Sequence, residues 1–144
     1  MRAINSLRLE KSYRMWGQDL TREYTPLEAG FDRFVKLDKG DFTCRDALLR
    51  QKEEGVPLEF VTMEVHGGND ADALGNEPLY REGEMIGRAT ADAYGHHVGK
   101  SLAVGYVKTG MGSGVLEIEF LGSRYAATVI AESPYDPQNK SLRG

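Results

Sequence analysis

The sequence predicts an α+β fold, with a short helical leader followed by a C-terminal antiparallel β-barrel of about six strands. The 144 residues include 17 glycines, or about 12% against the usual ~7%, which indicates many tight turns. Short apolar segments separated by turn residues follow one another after Gly55, as in closed antiparallel barrels. Helical patterns occur only before that point. The predicted division is therefore 1–55 for the leader, the end of a ligand-binding region, and 56–144 for the barrel.

The leader is predicted to begin with a helix from Ser6 to Trp16. Asn5 or Ser6 would cap its first turn with a side-chain oxygen, and Gly17 would occupy the left-handed position just after it. A polar connection over 18–26 follows. The apolar residues from Leu27 to Lys36 fit no period well, and we interpret them as a strand.

The second helix of the leader has clearer signals. Thr43-Cys44-Arg45-Asp46 resembles a capping box, with Asp where Glu is more usual. Gly55 and Pro57 would end the helix and mark the boundary with the barrel.

The barrel strands are predicted from apolar alternation and from the turns between them. Leu116–Phe120 alternates strictly, which indicates one buried and one solvated face. Glu82-Gly83 and Gly122-Ser123 are typical hairpin turns. The predicted strands are Leu58–Val65, the pair around Glu82-Gly83 (Tyr80-Arg81 and Met85-Ile86), Ser101–Val107, Val115–Phe120 and Arg124–Ala131.

Composition disfavours several classes of partner. The net charge of −4 and pI of about 5.4 provide no field for nonspecific nucleic-acid binding. No stretch approaches the ~20 apolar residues of a membrane span. The single Cys44 excludes an internal disulfide framework. We expect a soluble protein of the cytoplasm, or of the mitochondrial matrix in a eukaryote.

Chemistry-bearing residues do not form a recognisable catalytic or metal motif. His66 and the pair His96-His97 lack zinc-type spacing, so we expect no metal site. Asp70–Gly75 begins like a calcium loop but lacks the later ligands. Gly110–Gly114 is similar to a phosphate-cradling loop, yet a strand and not a helix follows it, which favours a hairpin connection. Cys44 is interpreted as a small buried thiol at a helix N-terminus.

Ordered blocks along nearly the whole chain resemble the C-terminal part of the glycine-cleavage T-protein (aminomethyltransferase) family. Two further details, Tyr13–Gly17 and Ala93–His96, are closer to the folate-binding region of dimethylglycine and sarcosine dehydrogenases. The blocks are Ser6–Lys11, Trp16–Leu20 and Thr25–Gly30; then Lys36–Phe42 with Ala47-Leu48; then Ile86–Thr90, Gly99–Val107 and Pro134–Pro137.

The resemblance implies one-carbon transfer from an aminomethyl or methylated-glycine donor to tetrahydrofolate. It implies that Arg8 contacts the folate, that Trp16 covers the pterin or aminobenzoyl ring and that Lys140 lies near the folate glutamate. The alternatives are an ion pair of Arg8 with Glu10 or Ser12, core packing of Trp16 and a solvated Lys140. FAD would bind in a separate domain of the dehydrogenase relatives.

In the family, the aspartate and glutamate that orient and grip the folate lie upstream of the first helix. We therefore expect the chain to work with an upstream part of the same protein or with a separate subunit. Alone it should show no turnover and at best weak folate binding. Two alternatives remain open: a non-catalytic β-barrel interaction module that keeps only the fold, and a related demethylase that uses the same folate cavity.

Overall fold

The computed structural model describes residues 2–67 and 75–143. Two helices and a short 3₁₀ helix precede six strands, and a short helix follows them. The elements are α1 (Arg2–Glu10), the 3₁₀ helix (Asp32–Phe34), α2 (Arg45–Glu54), β1 (Leu58–Val65), β2 (Pro78–Arg81), β3 (Glu84–Gly95), β4 (Lys100–Lys108), β5 (Val115–Phe120), β6 (Ser123–Ile130) and α3 (Lys140–Arg143). The predicted α+β class and the six-stranded barrel are confirmed.

The strands form a closed antiparallel barrel in the order β1-β4-β3-β2-β5-β6. Pairing of β6 with β1, from Thr62 opposite Ile130 to Val65 opposite Ala127, closes it. Closure leaves the sheet without an open edge. The barrel interior is filled by apolar side chains: Val61, Met63, Val65, Leu79, Ile86, Ala89, Ala103, Val107, Leu116, Ile118, Phe120 and Ala127.

Strand β4 is buried on both faces, which explains its unbroken apolar sequence. Ala103 and Val107 point into the barrel core. Leu102 and Val104 point outward and pack with Leu9 of α1. Helix α1 therefore lies against the outer surface of β3 and β4, and this contact positions the leader on the barrel.

Close backbone approach between β3 and β4 requires glycine at two positions. A Cβ on Gly105 would lie 2.3 Å from the carbonyl oxygen of Arg88, and one on Gly87 would lie 2.0 Å from that of Tyr106. No side chain fits at these distances. The pairing register also shifts between Ala89 and Ala91, so the barrel bends sharply here.

The predicted bounds of the first helix are wrong. Helix α1 ends at Glu10, where Ser12 takes the left-handed φ of 54° and the amide of Tyr13 bonds back to the Arg8 carbonyl at 2.8 Å. The side chains of Asn5 and Ser6 do not cap the helix. They donate to the carbonyls of Asp92 and Tyr94 and attach α1 to β3.

The strand predicted over 27–36 is also wrong, because a helix-capping signal just before this segment starts a helical turn there. Thr25 and Glu28 form a reciprocal capping box: the Thr25 hydroxyl accepts from the Glu28 amide at 3.2 Å, and the Glu28 carboxylate accepts from the Thr25 amide at 2.8 Å. Pro26 occupies the first position after the cap, as it does in many helices. A tight turn results, and Gly30 at φ 68° ends it.

Helix α2 begins one residue after Cys44, and Gly55 ends it as predicted. The predicted capping box is absent, since no side-chain bond caps this helix and Cys44 has a left-handed φ of 70°. The interpretation of Cys44 as a buried thiol is wrong, because its side chain is exposed. Within 2–67 and 75–143, no helix is long and apolar enough to cross a membrane.

The glycine-rich connection between β4 and β5 binds a carboxylate of its own chain. One oxygen of Glu59, Oε1, accepts from the amides of Gly110 at 2.9 Å and Gly112 at 2.8 Å. A Cβ on Gly112 would lie 2.6 Å from the same oxygen and 2.8 Å from Cγ1 of Val61, so a side chain here would displace Glu59 or Val61. The predicted hairpin connection is wrong, because β4 pairs with β1 and β3 while β5 pairs with β2 and β6, so the loop joins strands that are not neighbours. Glu59 ties this connection to β1. Most of Asp70–Gly75, for which the calcium-loop interpretation was rejected, lies outside the described residues.

Candidate functional site

Arg8 lies at the centre of a buried polar network and not on the helix surface. Its side chain is 8% exposed, and Nη1 donates to Oδ2 of Asp19 at 2.5 Å. Nη1 also donates to the Tyr13 carbonyl at 3.0 Å, and Nε donates to Asn5 Oδ1 at 2.8 Å. The ion-pair partner is therefore Asp19, eleven residues along the chain, and not Glu10 or Ser12.

Most of the donors of Arg8 are engaged within the chain. A guanidinium carries five N–H groups. The Nε and Nη1 bonds account for three, and among the residues that the structure describes Nη2 makes a long 3.5 Å contact with Gln18 Oε1. Nη2 is consequently the part of the Arg8 guanidinium that has hydrogen-bonding capacity left for a ligand.

Asp19 is a buried residue of this network that the sequence analysis missed. None of its side-chain surface is exposed. Oδ2 accepts from the Met15 amide at 2.7 Å, Oδ1 accepts from the Thr90 hydroxyl at 2.5 Å, and the Asp19 carbonyl accepts from the Tyr106 hydroxyl at 2.9 Å. The carboxylate links α1 and β3 to a single turn, and the backbone carbonyl of Asp19 links β4 to the same turn.

That turn, Met15–Leu20, carries Trp16. The amides of Asp19 and Leu20 bond to the Met15 carbonyl at 2.9 and 3.1 Å, and Gly17, at φ 83°, donates to the Leu20 carbonyl at 2.9 Å. The Trp16 side chain is 83% exposed. The alternative of core packing is thus excluded for this ring, and a flat apolar surface is displayed to the exterior.

Lys140 lies on the exposed helix α3, in a tail that is attached to the end of α1. Lys11 Nζ donates to the Asp136 carbonyl at 2.6 Å and to Asn139 Oδ1 at 2.7 Å. The Tyr135 amide donates to the Glu10 carbonyl at 2.9 Å. The tail that carries Lys140 and the helix that carries Arg8 are therefore held together at the C-terminal end of α1.

Arg14 borders a polar cavity of about 260 Å³ between the leader and β1. Its guanidinium lies 4.3 Å from the ring centroid of Phe60 and 5.3 Å from that of Phe31. Burial lowers the pKa of Arg14 below its ordinary value. Ser12 Oγ and Arg14 Nε are both buried without a hydrogen-bond partner among the residues described.

Tyr106 connects the same network to an aromatic stack. Its ring lies parallel to that of Tyr24, with centroids 3.6 Å apart, and burial raises the pKa of its hydroxyl. Tyr24 also accepts from Arg88 Nε at 2.9 Å, which raises the pKa of Arg88. A cleft of about 870 Å³ opens between Tyr24 and α2.

The histidines lie in three separate structural contexts. His66 pairs with Thr128, His96 stacks edgewise on Tyr94 and His97 stacks on Tyr135. In the part of the chain that the structure describes, no group of His, Cys, Asp and Glu is arranged as metal ligands would be. The exposed Trp16 ring and the buried Arg8 are connected through the turn that contains Asp19.

Family comparisons match both parts of the chain. Residues 59–136 match the glycine cleavage T-protein C-terminal barrel domain, and residues 1–39 match the GCVT N-terminal domain. The first match covers more than half of the 144 residues.

Several curated relatives are longer proteins. Rat mitochondrial dimethylglycine dehydrogenase is 40% identical over 133 residues, which cover 90% of this chain and 15% of the relative. The mouse mitochondrial pyruvate dehydrogenase phosphatase regulatory subunit is 43% identical over 110 residues, 73% of this chain and 12% of the relative. Aminomethyltransferase of Rippkaea orientalis is 36% identical over 141 residues, 96% of this chain and 38% of the relative.

The fold also matches a solved structure. The crystal structure of glycine cleavage system aminomethyltransferase T from Bartonella henselae superimposes with a TM-score of 0.83 at 24% identity, over 94% of this chain and 38% of that one. At this identity the likeness establishes the fold. The chain thus spans 12% of the regulatory subunit, 15% of dimethylglycine dehydrogenase and 38% of each of the two aminomethyltransferases named here.

Proposed function

The chain belongs to the glycine cleavage T-protein family, and from this premise we propose that it is the C-terminal part of a tetrahydrofolate-dependent one-carbon transferase. The donor would be an aminomethyl compound or a methylated glycine. The observation that carries the proposal is that one chain matches both the N-terminal and the C-terminal domain models of the family. It is supported by the exposed Trp16 ring on the turn whose Asp19 pairs with the buried Arg8.

Trp16, Arg8 and Lys140 are the residues through which we propose contact with the folate. The exposed Trp16 ring suits a flat pterin or aminobenzoyl group, because offset stacking of aromatic rings contributes about 0.5–1.5 kcal/mol beyond area burial. Arg8 would contribute through Nη2, since its other donors are engaged. Lys140 would face the folate glutamate as a mobile point charge.

The proton-transfer groups would come from outside the described network. Its one buried carboxylate, that of Asp19, is saturated by Arg8, Met15 and Thr90. A catalytic base must reach the reacting atom directly or through one water. We therefore propose that the isolated chain shows no turnover, and that an upstream folate-binding part, in the same protein or in a separate subunit, supplies these groups.

The outward face of α1 supports a partner of this kind. Ile4 and Leu7 lie three residues apart on one face of the helix, and both are exposed. The face that carries Ser6 and Leu9 packs on the barrel. An apolar helix face left uncovered is typical of an interface. A flavin, as in dehydrogenase relatives, would belong to a further domain, and a compartment containing tetrahydrofolate would be the cytoplasm or the mitochondrial matrix.

The test is calorimetric titration of tetrahydrofolate into the chain, alone and with the upstream part supplied in trans. We expect weak binding alone and tighter binding with formaldehyde capture in the complex. Trp16→Leu should weaken binding roughly tenfold. Phe34→Leu, which changes another exposed aromatic residue of the leader, is the matched control. The proposal fails if no context gives folate binding, or if both variants bind as the wild type does.

A second candidate is a non-catalytic interaction module. The 43% identity to a protein named as a regulatory subunit favours it. This reading requires that folate does not bind in any context and that the chain still associates with its upstream partner. Ile4→Asp with Leu7→Asp should then abolish association, while Trp16→Leu leaves it unchanged.

A further inference from the structure

The turn that carries Trp16 receives no support from the Trp16 ring itself. The ring is 83% exposed, and the backbone of Met15–Leu20 sets the point from which the side chain projects. This segment belongs to neither a helix nor a strand, and a single parallel bridge joins Trp16 to Leu20. A turn of this kind keeps one orientation only where other groups fix it.

The groups that fix it converge on Asp19. This residue is fully buried and bonds through both carboxylate oxygens and its carbonyl, reaching Arg8 of α1, Thr90 of β3 and Tyr106 of β4. The same carboxylate accepts from the Met15 amide at 2.7 Å, one residue before Trp16. Gln18 adds a bond from Nε2 to the Thr90 carbonyl at 3.0 Å.

We propose that Asp19 and Thr90 are positioning residues that hold the turn carrying Trp16 in one conformation and so present its ring for ligand stacking. The inference rests on the proposed function for the identity of the ligand, a flat heterocycle of the pterin class. Neither residue touches the ligand. They order the turn before the ligand binds, so binding does not lose affinity to the entropy of ordering the turn.

Thr90 offers the sharper experiment, because its hydroxyl can be removed with little change of shape. Thr90→Val deletes the donor to Asp19 Oδ1, and Thr90→Ser restores it. Thr62→Val is the matched control: Thr62 is 7% exposed and Thr90 is 6% exposed, and both lie on strands. Thr62 is on β1, outside the set of described residues that bond to Asp19.

Trp16 is the only tryptophan of the sequence, so its fluorescence reports on the turn without labelling. We expect Thr90→Val to lower the steady-state anisotropy of Trp16 while the far-UV circular dichroism stays unchanged. Thr90→Ser and Thr62→Val should keep the wild-type anisotropy. With the upstream part present, Thr90→Val should weaken tetrahydrofolate binding about tenfold, and Thr90→Ser should not.

The outcomes separate this inference from the proposed function. If Thr90→Val and Asp19→Asn both leave the anisotropy at the wild-type value while remaining folded, the positioning role is overturned, whether or not folate binds. If the anisotropy falls in Thr90→Val and tetrahydrofolate binds to neither variant nor wild type in any context, the order of the turn depends on Thr90 but the folate function is wrong. A fall in Thr62→Val equal to that in Thr90→Val would also overturn the positioning role.

Discussion

Replacing Arg8 by methionine should reveal how much the buried ion pair contributes to stability. The substitution leaves the fully buried carboxylate of Asp19 without its cation, which lies at 2.5 Å. At an effective dielectric constant of ~20, two unit charges separated by ~4 Å attract by about 4 kcal/mol. Asp19 would keep its bonds from Met15 and Thr90, so we expect a cost near the lower end of the ~3–5 kcal/mol typical of broken buried pairs.

A loss of this size is a large fraction of the roughly 5–15 kcal/mol that stabilises a folded domain. It corresponds to a fall in melting temperature of roughly 10 °C. Urea unfolding followed by far-UV circular dichroism measures it. Combining Arg8→Met with Asp19→Asn removes both charges and should recover at least about 1 kcal/mol, because an amide is cheaper to bury than an unpaired carboxylate.

Arg124→Met is the matched control, since Arg124 is an exposed arginine that pairs with Glu117 and Glu119. Exposed pairs contribute about 0–1 kcal/mol. The reasoning would be refuted if Arg8→Met cost no more than Arg124→Met, or if the double variant were less stable than Arg8→Met alone.

Three further predictions concern the barrel and the tail. Burial raises the pKa of Tyr106 above its ordinary value of 10.0, so the unfolded chain releases this proton at a lower pH than the folded chain does. The free energy of unfolding should therefore fall above pH 10, by up to about 1.4 kcal/mol per pH unit. Tyr106→Phe should reduce that slope in urea unfolding measured over a pH series, and an unchanged slope would contradict the assignment. Gly105→Ala should lower the free energy of unfolding by at least about 3 kcal/mol or abolish soluble expression, because its Cβ would lie 2.3 Å from a β3 carbonyl oxygen. The control is Gly99→Ala, whose Cβ would have no atom within 4 Å and which should cost only about 1 kcal/mol of left-handed backbone strain. Equal losses of stability in the two variants would argue against the steric explanation. Lys11→Met should speed amide hydrogen exchange around Asp136, because the tail loses the bonds of 2.6 and 2.7 Å from the Lys11 ammonium. Hydrogen exchange measured by mass spectrometry tests this, and an unchanged exchange rate would mean that other contacts hold the tail.

The barrel could be predicted from the sequence because its signals are local and repeated. The alternation in Leu116–Phe120 and the Glu82-Gly83 turn each fix a strand or a hairpin independently of distant residues. The strand Leu58–Val65 has the predicted bounds. The strand predicted over Ser101–Val107 lies within β4, Lys100–Lys108.

The leader was harder to predict because its bonds are long-range. Asn5 and Ser6 look like helix caps in sequence, yet they bond to β3, more than 80 residues away. The Thr25-Pro26-Leu27-Glu28 capping box was a readable local signal that the sequence analysis did not use. The left-handed Ser12 that ends α1 has no such signal, since serine rarely takes that conformation.

The candidate site was partly accessible to sequence reasoning. Arg8, Trp16 and Lys140 came from the family resemblance, and the structure shows one buried, one exposed on a turn and one on an exposed tail helix. Asp19 was missed, because nothing in a polar stretch marks one carboxylate for burial. Only the fold brings the Thr90 hydroxyl and the Tyr106 hydroxyl to it.

The amides of the glycine-rich segment Gly110–Gly114 bond to a carboxylate of their own chain, that of Glu59. Its side chain places one anionic oxygen where the amides of Gly110 and Gly112 converge, which is the position that a nucleotide phosphate takes in other proteins. In the folded protein the loop amides are therefore already bonded to an anion of the same chain, and a phosphate would have to displace the Glu59 carboxylate to bind there. When an acidic residue lies near the start of the adjacent strand, as Glu59 does in β1, such a motif indicates an internal hydrogen-bonded contact and not nucleotide recognition.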